Sequence, residues 1–234
     1  MKQQMCHSFD CVARIYDSIF AQHIRDHYIK KRVMFIKKYF KGRVKILDVG
    51  CGTGLLTYHL AQCGWDVYGL DFSPKMVEIA KIRLPGRIVC GHAKSIPFSS
   101  HSVDGVLCVA TLHHIPFEDL SSVISEMVRV LKPGGRLLIW DHNKINPYWR
   151  FLMKRVPQDT GRERIFSAKD ILAELKKNRI EIIKYKRMGF VPDFCPEFLM
   201  PLFVFLEKGV ENVPVLNFIC AHNVIIGEKR YVEE

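Results

Sequence analysis

From residue 44 to about residue 186, short apolar runs alternate with segments whose apolar side chains recur every three or four positions. Val44–Val49, Asp66–Leu70, Arg87–Cys90, Gly105–Ala110 and Arg136–Trp140 read as strands, each too short and too continuously apolar for an amphipathic helix. Between them, Leu55–Cys63 reads as a helix stopped by Gly64. A second helix starts with Ser73 as N-cap and Pro74 at the first helical position, carries Met76, Val77, Ile79 and Ala80, and ends before Pro85-Gly86. Asp119–Leu131 is apolar at 120, 123, 124, 127, 128 and 131, a helical spacing, and Lys132-Pro133-Gly134-Gly135 stops it. Ser167-Ala168-Lys169-Asp170 opens another helix as a capping box, ending near Asn178. Ile180–Tyr185 and Phe218–Ile226 are strand-like. Such βα alternation implies a mostly parallel sheet with helices on both faces. Ligands of such sheets sit at the carboxyl ends of strands, near the switch in strand order. The turn after residue 49, Asp71, His92 and Thr111 all fall at such ends.

The first turn carries the chemistry. Ile46-Leu47-Asp48-Val49-Gly50-Cys51-Gly52-Thr53-Gly54 runs from a strand through a glycine-rich bend into a helix. Glycine lets the backbone bend sharply and approach a ligand, and the helix start offers free N–H groups. Asp71 ends the next strand about twenty residues on, where a carboxylate can accept from both hydroxyls of a ribose. A dinucleotide loop has the form G-x-G-x-x-G; here Leu55 takes the third glycine's place and the pattern is G-x-G-x-G. A tight strand–helix turn with nothing bound is the alternative.

The loop Asp48–Gly54 resembles the first motif of class I S-adenosylmethionine (SAM) methyltransferases, and three more segments match that family in order. Gly69-Leu70-Asp71-Phe72-Ser73-Pro74-Lys75-Met76 is similar to its second motif, Gly91–Phe98 to its adenine-side loop, and Leu131–Leu137 to its turn into strand five. Phe9–Asp17 resembles an N-terminal segment that closes over the cofactor. The likeness runs from about Phe9 to Trp140 and is strongest to the group typified by quinone C-methyltransferases. It implies a Rossmann-like, doubly wound α/β fold, with a mostly parallel seven-stranded sheet whose last strand runs antiparallel. It also implies SAM as cofactor, with S-adenosylhomocysteine (SAH) as product. Asp48, Gly50, Cys51, Gly52 and Gly54 would form the methionine side of the site, and Asp71 would take the ribose. Phe72 and Met76 would lie beside the adenine with His92 and Ala93, Thr111 would close the strand-four side, and Tyr16 would cover the cofactor. Tyr16 also fits a buried core aromatic. The family usually has an acid where His92 stands, and a histidine accepts from the adenine amino group only when neutral.

Methyl transfer needs a base only if the acceptor must lose a proton. His113 and His114 after strand four, and Asp141 and His142 after strand five, are candidates; His113 and His142 are the leading two. His113-His114 also fits a simple turn before Pro116. Neither pair shows zinc spacing with a third ligand, so no metal is expected. Asp141-His142-Asn143 through Asp159 resembles a branch of the same superfamily whose substrates the resemblance does not specify.

Length and composition refine this. The 234 residues fit one domain: a helical cap at 1–43, a SAM-binding core at 44–140, and a substrate-side region at 141–234. That last region contains an apolar insertion at 190–214, which fits a core or dimer helix, the roof of an apolar substrate pocket, or a membrane contact. The net charge of +11 favours an anionic partner (nucleic acid, a phosphorylated substrate or an acidic membrane surface), or else simply a solvated face. A small-molecule or lipid-linked acceptor is the first expectation. An RNA (tRNA) acceptor and a non-catalytic SAM-binding protein are the alternatives, RNA being disfavoured by the lack of an appended RNA-binding module. Eight scattered cysteines without a C-x-x-C pair, and no leader-like apolar stretch, suggest a cytoplasmic protein.

Overall fold

The computed structural model describes residues 9–148 and 164–231. Seven strands form one sheet: β1 (Lys45–Val49), β2 (Asp66–Asp71), β3 (Ile88–Cys90), β4 (Val103–Val109), β5 (Leu131–His142), β6 (Ile180–Met188) and β7 (His222–Lys229). Their spatial order is β3-β2-β1-β4-β5-β7-β6. β7 runs antiparallel between β5 and β6, and the other pairs are parallel. This is the mostly parallel, doubly wound α/β sheet that the sequence implies. The chain winds outward from β1 to β3, then returns to β4, so the switch in strand order lies between the ends of β1 and β4.

Among the described residues, the sheet is covered by α1 (Gln22–Tyr39), α2 (Leu55–Ala61), α3 (Pro74–Arg83), α4 (Leu120–Val130), α5 (Ala168–Lys177) and α6 (Met200–Asn212). The strand period of two decides which side chain meets which helix. Leu137 and Ile139 of β5 join a core with Val123, Ile124 and Met127 of α4 and Ile171 and Leu175 of α5. Leu138 and Trp140 face the other way, into a core with Ile29 and Ile36 of α1 and Leu56 and Leu60 of α2. Both predicted caps form: the Met76 N–H donates to Ser73 Oγ at 3.2 Å, and Ser167 and Asp170 make a full capping box.

Two elements differ from expectation. The strand expected over Phe218–Ile226 starts only at His222, and Asn217–Ile219 is a 3-10 turn. Side-chain amides have taken the carbonyls that a longer ladder would use: Asn143 Nδ2 donates to Phe218 O and Cys220 O, and Asn146 Nδ2 to Ile219 O, at 2.9–3.0 Å. β5 starts at Leu131 rather than Arg136, because Leu131 pairs with Val103 and a register shift absorbs Lys132–Gly135.

α6 is inverted. It buries Glu207 and Glu211 and exposes Phe198 (in the 3-10 turn before it), Leu202 and Phe205. Lys31 of α1 pairs with both acids, and His27 with Glu207. The Glu207 carboxylate also accepts the Phe190 N–H at 2.7 Å, and Glu211 the Gly189 N–H at 2.7 Å. Burial would raise the Glu207 pKa, but the His27 and Lys31 hydrogen bonds and charge outweigh it and hold it at about 2. These two acids fasten the loop 189–191 to α1.

Candidate active site

The glycine loop fills the switch point. Gly50, Gly52 and Gly54 all have φ between +54° and +76°, a region that costs other residues energy. Their surroundings differ. A Cβ at Gly50 would overlap the Thr111 side chain at 2.3 Å, and one at Gly54 would press on Ala80 of α3 at 3.0 Å. At Gly52 only the Tyr16 ring, 3.9 Å away, is near. So Gly50 and Gly54 let elements pack, whereas Gly52 leaves open space beneath an aromatic ring. The Gly52 N–H donates to Asp71 Oδ2 at 2.8 Å, and the Ser73 N–H to Oδ1 at 3.0 Å, which fixes the carboxylate at the end of β2. Burial pushes the Asp71 pKa up, against those two N–H groups. Asp48 is buried under the loop, accepts from Thr57 Oγ1 at 2.7 Å, and has its pKa pushed by burial to about 6.

The N-terminal segment is pinned across this loop. Asp17 accepts from Thr53 Oγ1 at 2.7 Å and pairs with Arg83, which also donates to Thr53 O at 2.6 Å. Asp10 accepts from Ser73 Oγ at 2.5 Å and from the Lys75 N–H at 3.2 Å. Tyr16 is thereby held over Gly52.

One cavity of about 450 Å³ starts at this loop, where Tyr16, Asp48, Gly50, Cys51, Gly52 and Thr53 line it. It continues between α1 and the 189–194 loop into an apolar chamber walled by Ile19, Phe20, Ile24, Phe190, Val191 and Phe194. Between the two ends stands a file of imidazoles. The His114 and His113 rings are 3.9 Å apart between centroids, His113 and His142 4.2 Å, and His142 and His222 5.2 Å. All four line the cavity. His113 Nδ1 bonds Asp141 Oδ1 at 2.7 Å. Asp141 also accepts the backbone N–H groups of Thr111, Leu112 and His142. With those donors around it, Asp141 is an anion and accepts, so His113 Nδ1 carries the proton and Nε2 is left as the basic nitrogen. Burial would raise the Asp141 pKa, but the charge and hydrogen bond of His113 lower it below the usual carboxylate value. Burial pushes His114 and His142 well below the usual histidine value, and His222 to about 3. Ala110, immediately before Thr111, has a φ of 54°, backbone strain located at the cavity wall.

Residues 47–139 match a family model described as a methyltransferase domain. That stretch of the chain resembles a methyltransferase domain. An uncharacterized methyltransferase of Mycobacterium tuberculosis is 40% identical over 99 residues, which is 42% of this chain and 40% of that protein. A demethylmenaquinone methyltransferase of Renibacterium salmoninarum is 34% identical over 125 residues, 50% of this chain and 52% of that protein. The chain thus spans about half or less of the length of these relatives. A SAM-dependent methyltransferase structure from Thermotoga maritima superposes with a TM-score of 0.70 at 21% identity, covering 97% of this chain and all of that one. The fold is that of SAM-dependent methyltransferases.

In this fold the expected site residues separate into groups. Tyr16, Asp48, Gly50, Cys51 and Gly52 reach the cavity, and Asp71 joins them through Gly52. Gly54 packs α2 on α3 instead, and Thr111 packs on Gly50. The adenine-side residues do not line that cavity. Met76 is buried against Val12 and Ala13, and Ala93 packs on the core. Phe72 lies 5.9 Å from the Phe9 ring and 6.4 Å from the exposed His92 ring. The His92 Nδ1 accepts the Lys94 N–H at 3.2 Å, so its acceptor nitrogen is engaged in the chain's own turn. Burial pushes the Cys51 thiol pKa well up, which disfavours the thiolate.

His113 and His142, considered singly from sequence, turn out to be neighbours. Neither pair has a third ligand at zinc spacing along the chain, yet folding brings ligand atoms of His113, Asp141 and His142 within 4.8 Å of one another. Here Asp141 Oδ1 and Oδ2 already take the proton donors named above. His222 was missed. Its signal was available only through pairing, because β7 sets His222 opposite His142. Asp10 and Asp17 were inside a recognised segment but had no assigned role. No helix among the described residues is long and apolar enough to cross a membrane.

Proposed function

We propose that this protein transfers the methyl group of SAM to a small or lipid-linked apolar acceptor. The observation that carries this reading is the single cavity running from the glycine loop, past the imidazole file, into an apolar chamber. In-line transfer needs the donor sulfonium and acceptor atom held in one water-poor space. SAM supplies the electrophilic methyl; the chain's residues position both partners and take a proton. The methionine end would lie against Gly50–Thr53 above Asp48, with the ribose on Asp71 and the adenine toward Phe72 and Ala93. His113, oriented by Asp141, would accept the acceptor's proton at Nε2. In this reading 44–140 forms the donor half, and α1 with the region from 141 forms the acceptor half. The outward apolar face of α6, in a chain of net charge +11, supports a lipid-side acceptor over RNA. The quinone acceptor in the name of the Renibacterium relative is of the same apolar class.

Incubating the protein with methyl-tritiated SAM and separate RNA and organic-soluble cell fractions tests this. Label is expected in the organic fraction. Label confined to RNA, or a protein that fails to bind SAH in calorimetry, would reject it.

A further inference from the structure

Among the described residues, the other charged groups that line the cavity have protein partners. Asp48 holds Thr57, Asp17 holds Arg83, Asp141 holds His113, and Tyr148 donates to Asp193. Lys31, just behind the wall, is neutralised by Glu207 and Glu211. Arg32 differs. It projects from α1 and lines the cavity. Its guanidinium carbon lies 5.9 Å from the Trp140 ring centre and 6.0 Å from the Tyr28 ring centre. Both are faces that attract a cation but accept no conventional hydrogen bond. Its Nε is buried without a hydrogen-bond partner, and no carboxylate among the described residues pairs with it. Burial lowers its pKa, against the opposing pull of Tyr28, Tyr16, Asp48 and Asp141. A guanidinium presents five donors in a planar fork that matches a carboxylate or phosphate.

We infer that Arg32 is the receptor for an acidic group, a carboxylate or phosphate, on the methyl acceptor. This rests on the methyltransferase reading for the word acceptor only; the anion site itself stands on the cavity geometry. The donor's own carboxylate is the other source of such an anion. The placement favours the acceptor. Trp140 belongs to β5, two strands from the glycine loop at the end of β1. Arg32 also bears on His222 of β7, whose pKa it helps to depress after burial. An apolar chamber closed by one half-buried arginine selects an amphiphilic acid: an apolar body with an ionised head.

Octanoate and octanol serve as a matched probe pair for the whole chain, titrated by calorimetry in wild type, Arg32→Met and Arg32→Lys. Wild type should bind octanoate more tightly than octanol. Arg32→Met should lose octanoate affinity by about tenfold or more, with octanol affinity retained. Arg32→Lys keeps the charge without the fork and should fall between. SAH affinity and melting temperature, measured on the same samples, should change little. A wild type that does not favour octanoate overturns the inference. So does an Arg32→Met variant that loses SAH binding and keeps octanoate, which would assign Arg32 to the donor. If Arg32→Met fails to fold, Arg32→Lys decides: octanoate affinity equal to wild type overturns the forked site. Should wild type fail to bind SAH, the methyltransferase reading falls, while the octanoate preference still reports on Arg32.

Discussion

His113 Nδ1 and Asp141 Oδ1 lie 2.7 Å apart, both buried, at the ends of neighbouring strands β4 and β5. The carboxylate is steadied by three backbone N–H groups, so it orients the ring and compensates charge on it. His113→Gln should therefore reduce methyl transfer by about a hundredfold or more if an acceptor proton is removed in the rate-limiting step. SAH affinity should stay near wild type. Label transfer and calorimetry on one preparation check this. Loss of SAH binding in step with activity would show a structural role instead. Chelation with EDTA should alter neither readout.

The imidazole file makes the fold acid-sensitive. His222 has a native pKa of about 3, set first by burial and then by Arg32. Unfolded, it titrates near the ordinary histidine value of about 6.5. The unfolded state thus binds more protons below that pH. The stabilisation is complete above about 6.5 and is lost as pH falls toward 3. Each such histidine removes about 1.4 kcal/mol per pH unit well inside that window. His114 and His142 act in the same direction. Urea midpoints at pH 7 and pH 5 should show a clear drop, reduced in His222→Phe. Equal midpoints would contradict neutral buried rings.

Glu207 gives a second, lower window. Its native pKa of about 2 lies below the usual glutamate value, so its contribution is present above that usual value and fades as pH falls toward 2. Glu207→Gln should cost about 3 kcal/mol at neutral pH, because Lys31 and His27 lose their counter-charge in a buried place. Thermal melts at pH 7 measure this. Limited proteolysis near residue 190 should also accelerate, since the carboxylate accepts the Phe190 and Val191 N–H groups.

Gly50 and Gly52 of the loop should not respond alike, nor like Gly86, which lies outside it. Gly86 has φ +75° and open space, so Gly86→Ala pays only left-handed strain, about 1–2 kcal/mol. Gly50→Ala pays that and the overlap with Thr111, and should be the more destabilising by urea denaturation. Gly52→Ala should fold with the smaller penalty and lose SAH affinity, since its new methyl would stand beneath Tyr16 in the cavity. Similar SAH affinity in Gly52→Ala and wild type would remove Gly52 from the donor site.

Asp17 offers the last test. Asp17→Ala frees Thr53 and Arg83 from the N-terminal segment, and Tyr16 with it. SAH should dissociate faster, with affinity reduced by about threefold to tenfold. Stopped-flow dissociation measures it, and an unchanged rate would mean that the segment does not hold the ligand.

Much of this architecture is written locally. The Ser73 and Ser167 caps, the α4 stripe and the alternation of β5 each depend on residues a few positions apart, and local spacing reports them well. The glycine loop is legible for the same reason, because loop, strand and helix start lie in one stretch of about ten residues. The late start of β7 is different. It depends on Asn143 and Asn146 reaching carbonyls more than seventy residues away. Likewise α6 buries acids because Lys31, about 180 residues distant, meets them. Its sequence alone, rich in Phe and Leu, points to the opposite orientation.

The sequence by itself determined the α/β class, the bend that opens the donor side, and the carboxylate at the end of β2, since short-range periodicity and backbone sterics suffice for each. Tertiary structure alone decided that four histidines form one file, that Asp141 serves His113, and that Arg32 sits by the Tyr28 and Trp140 rings with no carboxylate paired to it among the described residues. Those are facts of strand order and burial. Charges far apart in the chain acquire partners, or fail to, only when the sheet has closed and water has gone.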